Sequence, residues 1–170
     1  GEPPRIRAAL ARPLPPELAA LVVPLLARED CAAEAACALR GVARRSTGLL
    51  VDALLDPGHD PSIRRRIPRL LEVAEPELAR WALWRGLADE AFEVRYQCGR
   101  VLARVEQGRV VPPERVFAAI QREIAVDAAV WKGHALTTED DEDDDATADE
   151  AARVLSHLLR RSSRGLEHIF

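Results

Sequence analysis

Asparagine is absent from these 170 residues, lysine occurs once, at Lys132, and aromatic residues make up only 4% of the chain. With so few rings, the core has to be assembled from the Ala, Leu and Val that dominate the 48% hydrophobic fraction. Ala and Leu lead the helix propensity scale, so this composition favours helices over sheets. No apolar run approaches the roughly 18 residues that span a bilayer, and no signal peptide is visible, which argues against direct membrane insertion. Only three cysteines occur, Cys31, Cys37 and Cys98. An odd number in apolar surroundings reads as small core residues in a reducing, cytoplasmic compartment, not as a disulfide framework.

Signatures of chemistry are missing as well. His59, His134, His157 and His168 form no H-x-x-x-H pair and have no cysteine at zinc spacing. Ser46, Ser62, Ser156, Ser162 and Ser163 lack the glycine-flanked elbow of a nucleophile. The acidic run lacks the alternation and turn glycine of a calcium loop. The expectation is a protein without catalytic, metal or cofactor residues.

What is present is charge, unevenly placed. The formal net charge is −4, yet Glu139 to Asp145 carries seven negative charges, so the remainder sums to +3. Consecutive carboxylates repel and gain nothing from burial, which predicts a solvent loop over 137–147. Nearly all basic residues are arginine, a bias expected of a GC-rich, bacterial genome.

The strongest pattern is a repeated apolar template. Leu39, Leu71 and Leu102 stand 32 and 31 residues apart, each followed three residues later by Val42, Ala74 or Val105. Upstream of each lies an earlier apolar stretch, at Leu25-Leu26, Leu54-Leu55 and Leu87, and between the stretches a break holding Asp30, Asp56 with Asp60, or Asp89. Such a period indicates stacked helical units. Pro16, Pro61, Pro76 and Pro113 stand where helices begin, since proline at the first helical position sacrifices no hydrogen bond. Asp60 before Pro61 is placed to cap, and Thr147 to Glu150 has capping-box spacing. These signals predict helices near 16–27, 31–44, 47–55, 61–74, 76–88, 90–107, 113–135 and 148–164, with a shorter turn from Pro4 to Ala11. Within 61–74, Pro68 is expected to bend the helix. The predicted organisation is one domain over 1–170, with units near 17–44, 47–74 and 76–107 and an irregular pair over 113–164. The opening Gly-Glu-Pro-Pro and the apolar ending Leu166 to Phe170 suggest a piece of a longer chain.

The stretch Asp89-Glu-Ala-Phe-Glu-Val94-Arg95, continued by Cys98-Gly99 and Val101-Leu102, resembles the second half of a HEAT repeat. Asp60-Pro-Ser-Ile-Arg64, with Ile67-Pro68 and Leu70-Leu71, is similar; the first unit keeps Ala35-Ala36 and Ala38-Leu39 but has Ala32 where the Arg would fall. The resemblance covers roughly 17–106 and implies an all-α, HEAT-like α-α superhelix whose second-row helices line a concave side. HEAT proteins include scaffolds, adaptors, regulatory subunits and relatives of DNA glycosylases and lyases, so the likeness concerns architecture.

Seven residues make up the expected partner-binding surface: Arg64, Arg65, Arg66, Arg95, Trp81, Trp84 and Arg85. Arg64 and Arg95 hold equivalent positions and either face a partner or bridge units by pairing with Asp60 and Asp89. Trp81 and Trp84, beside Arg80 and Arg85, either stack on a ligand or pack between units; Trp131 lies on the long helix. The leading functional expectation is a non-catalytic module that binds another protein, or another domain of the same larger chain. Nucleic-acid binding by an Arg/Trp groove is the alternative, and a glycosylase- or lyase-type enzyme a third.

Overall fold

A computed structural model describes residues 2–106 and 111–139, which are helices and connecting turns with no strand among them. The chain divides into two compact units, Gly1–Gln107 and Gly108–Phe170.

In the first unit, α1 (Glu2–Leu10) is followed by α2 (Ala19–Val22), α3 (Ala32–Val42), α4 (Thr47–Leu55), α5 (Pro61–Arg64), α6 (Pro68–Leu71), α7 (Pro76–Gly86) and α8 (Phe92–Val105). Prolines punctuate these elements as the sequence suggests: Pro61 and Pro76 open α5 and α7, and Asp60 caps α5 by accepting from the Ser62 amide at 2.7 Å.

Two predicted continuous helices are interrupted, and proline is the reason in both. The stretch 16–27 is a 3-10 turn (Pro16–Leu18), the single α turn α2, and a second 3-10 segment (Val23–Ala27) that holds Pro24. The stretch 61–74 divides into α5 and α6 at Pro68. Pro68 has no amide hydrogen for the Arg64 carbonyl, and the Ile67 amide takes that carbonyl instead, at 3.2 Å. The break leaves Arg65 and Arg66 between the two short helices.

The repeated template is also the pattern of burial. Leu39, Leu71 and Leu102 are all buried, and so are the preceding equivalents Ala35, Ile67 and Cys98, and, further upstream, Ala32, Arg64 and Arg95. Leu26, Leu54 and Leu87 are buried in the earlier stretches. A fully buried Leu stabilises by roughly 1.5–3 kcal/mol, so three such layers supply the main driving force. Within this unit α4 packs on α7 and α7 on α8, while α6 touches α3, α4 and α8, and α5 touches α8 and Val23–Ala27.

Polar contacts tie the helix pairs together where the helices start. The buried Thr47 hydroxyl at the head of α4 donates to the Ala43 carbonyl at 2.9 Å and accepts from the Glu75 amide at 3.0 Å, at the head of α7. Glu75 in turn caps α7 by accepting from the amides of Glu77 and Leu78. Those two bonds hold its carboxyl below the usual range.

In the second unit, α9 runs from Pro113 to Glu139. Residues 137–139, expected to begin a loop, continue the helix instead, because Leu136-Thr137-Thr138 contains no breaker. Along α9 Glu123 is buried, whereas Phe117 and Ile124 are exposed. The remaining acidic run, the capping box at Thr147 and the expected helix 148–164 lie outside the described residues.

Candidate binding groove

The seven residues expected to form one surface lie in three different settings. Arg64 and Arg95 are buried, at 7% and 6% exposure, and so cannot contribute to a partner-binding face. Their guanidiniums converge on the turn before α8. Arg64 forms an ion pair with the Asp89 carboxylate and donates from Nε to the His59 carbonyl at 3.0 Å. Arg95 donates to the backbone carbonyls of Asp89 and Glu90 at 3.0 and 2.9 Å. The other Asp89 oxygen caps the turn by accepting from the Ala91 amide at 2.8 Å. Of the two roles considered for these arginines, Arg64 takes that of a bridge, to the next turn through Asp89, whereas the Arg95 bonds to Asp89 and Glu90 stay within the turn leading into its own helix. Their partner is Asp89 and its turn, and Asp60 is occupied with Ser62. Buried charges require such pairing.

The tryptophans occupy α7, away from these arginines. Trp81 is exposed, with Arg85 lying over its ring at 5.6 Å from the centroid. Trp84 is half-buried and donates its indole N–H to Glu106 at 2.9 Å, a carboxylate that also pairs with Arg80 at 3.3 Å. Trp84 thus fastens α7 to the end of α8, while Trp81 and Arg85 form a separate exposed pair. The side chain of Trp131 lies outside the described residues.

Arg65 and Arg66, at the break between α5 and α6, open into a groove of about 640 Å³. Its other cations are Arg40 on α3 and Arg69 on α6; its wall is formed by Ala32, Ala33 and Ala36, with Cys37, Glu29, Leu70 and Gln97 completing it. Arg66 is anchored by the Leu26 carbonyl. Arg40 donates one bond, to the Arg69 carbonyl at 3.0 Å. Arg65 and Arg69 make no side-chain hydrogen bond or ion pair with any described group. The neighbouring acid, Glu72, is engaged by Arg104 across α6 and α8, at 2.9 and 3.4 Å. The Arg104 bonds hold the Glu72 carboxyl below its usual range, with the nearby charges of Arg40 and Arg69 adding to the effect. Gln97 Oε1 is shielded from solvent and has no hydrogen-bond partner among the described residues.

Sequence reasoning found Arg65 and Arg66 and missed Arg40, Arg69 and Gln97. For Arg69 the available signal was the template itself: Cys37 and Arg69 are 32 residues apart, as are Leu39 and Leu71, and so hold equivalent positions on successive units of the template. Among the described residues no group of three or more His, Cys, Asp or Glu side chains is placed to hold a metal ion, and no helix is long and apolar enough to cross a membrane.

The cysteines differ sharply in access. Cys31 and Cys98 are fully buried, and burial raises the pKa of both thiols. Cys37 is exposed in the groove. Titration with Ellman's reagent is expected to modify one thiol in the native protein and all three in denaturant. Rapid reaction of all three without denaturant would contradict the packing described.

Comparison with protein-family models, with curated proteins and with solved structures finds no match to this chain.

Proposed function

We propose that this chain is a HEAT-like array of helix pairs that serves as a non-catalytic protein-binding module, part of a larger bacterial cytoplasmic protein. The array reading is supported by the three-fold burial template and by the contacts of α6 with both α3 and α8, which resemble neighbouring units stacked in a row. The binding reading is carried by one observation: an open groove of about 640 Å³ in which four arginines gather, two of which, Arg65 and Arg69, make no side-chain hydrogen bond or ion pair among the described residues.

The alternatives have less to rest on. A nucleic-acid groove gains from aromatic stacking platforms, and Trp81 and Trp84 are not among the groove residues. An enzyme of the glycosylase or lyase type requires a carboxylate buried in the groove, and the carboxylate lining it, Glu29, is exposed.

Cys37 provides the test, because it is in the groove and the other two thiols are buried. A photo-crosslinker attached there, in extract of the source cells, is expected to couple one predominant protein. That protein, purified, should bind the unmodified chain in calorimetry and lose binding to the Arg65→Glu/Arg69→Glu variant. Failure of the purified protein to bind, or equal binding to the variant, overturns the proposal.

A further inference from the structure

We infer that the groove's occupant is an acidic peptide segment, a stretch of Asp and Glu residues carried by the partner. This rests on the reading of the chain as a protein-binding module and adds the chemistry of what is bound.

The inference follows from the charge gathered at the groove. Arg64 pairs with Asp89, Arg80 with Glu106, Arg104 with Glu72 and Arg28 with Asp30. Among the described residues the four groove arginines form no ion pair of this kind. Glu72, the acid near both Arg40 and Arg69, is taken by Arg104, and Asp60, whose carboxyl feels the charge of Arg65, accepts from the Ser62 amide. Among the described lining residues Glu29 is therefore the one carboxylate beside four guanidiniums. Each guanidinium offers five N–H donors in a planar fork whose best partner is a carboxylate bound through both oxygens. Arg40 and Arg66 are held by backbone carbonyls, so they are oriented before any ligand arrives, while Arg65 and Arg69 are bonded to no described group and can close on it.

The walls favour a peptide over a nucleic acid. Ala32, Ala33 and Ala36 leave room for a backbone but present only methyl groups. Among the described residues the groove is lined by no aromatic side chain on which a base could stack. The arginines are distributed along α3, the break after α5, and α6, which suits several separate carboxylates.

The experiment uses the full chain and a short, fluorescently labelled Asp/Glu-rich peptide, followed by anisotropy at low salt. Its Asn/Gln counterpart and a single-stranded oligonucleotide of equal charge serve as comparison probes. The acidic peptide is expected to bind and the amide peptide not to bind. Binding should weaken severalfold as NaCl rises from about 50 to about 300 mM, because exposed charges are screened. Arg65→Ala/Arg69→Ala should weaken it at least about tenfold, the effect of removing a half-buried and an exposed cation from the site together. Glu29→Gln should strengthen it, whereas Arg85→Ala, outside the groove, should leave it unchanged. Equal binding of acidic and amide peptides, indifference to the Arg65/Arg69 pair, or tighter binding of the oligonucleotide overturns the inference. A cross-linked partner that binds through the groove while the acidic peptide does not sinks this inference alone; failure of both sinks the protein-binding reading with it.

Discussion

Replacing Asp89 by alanine is expected to destabilise the first unit by about 3–5 kcal/mol, the range seen when one partner of a buried ion pair is removed. The size of the effect comes from what is left behind. Arg64 would keep its bond to the His59 carbonyl but lose the carboxylate that balances its charge, in a side chain only 9% exposed. The Ala91 amide would lose its acceptor at the same time, loosening the turn into α8. Asp89→Asn retains an oxygen for that amide and should cost less. The decisive variant is Asp89→Ala/Arg64→Met, which removes both charges. Replacement of a buried pair by apolar groups is often close to neutral, so most of the loss should be recovered. Urea unfolding followed by far-ultraviolet circular dichroism measures all four proteins. A loss below about 1 kcal/mol for Asp89→Ala, or none regained in the double variant, would show that the bridge does not carry this load.

Gly86→Ala is expected to destabilise by about 1–3 kcal/mol, the cost of overpacking a filled core. In an exposed helix interior the same change normally stabilises by about 0.5–1 kcal/mol, because glycine loses more backbone freedom on folding. At Gly86 the sign reverses: a β-carbon there would overlap the sulfur of Cys98 and lie 3.5 Å from Cys98 Cβ and 3.7 Å from Leu54 Cδ2. Cys98 is fully buried, so its side chain has nowhere to move. Gly86 is therefore the point of close approach between α7 and α8. Gly41, in α3, has nothing within 4 Å of an added β-carbon, and Gly41→Ala should stabilise. Cys98→Ala in the Gly86→Ala background removes the obstructing sulfur and should return part of the lost stability. Thermal melts of these three variants and the parent distinguish the cases; a Gly86→Ala protein as stable as Gly41→Ala would mean that α7 and α8 are not held so close.

Most helix positions were legible in the sequence, because proline starts, aspartate turns and a spaced leucine template are local signals. Leu39, Leu71 and Leu102 are buried where the template places them, and Pro68 breaks its helix for the reason its missing amide hydrogen supplies. The arginine groove was less legible. Arg64 and Arg65 are adjacent in sequence and equally charged, yet one is buried against Asp89 and the other opens into the groove. Trp81 and Trp84 sit three residues apart on α7, and only Trp84 finds a carboxylate, supplied by Glu106 at the end of α8.

By itself the amino-acid sequence determined that the described residues are helical, where most of their helices start, and which template positions enter the core, since each of these follows from interactions within a few residues or from periodicity along one helix. Only the tertiary structure decided which arginines are bridges and which line the groove. That outcome depends on whether a carboxylate from another helix lies within reach, as Asp89 does for Arg64 and Glu72 for Arg104; the repeat spacing offered Asp89 as a possible partner but could not choose between that pairing and an outward-facing arginine.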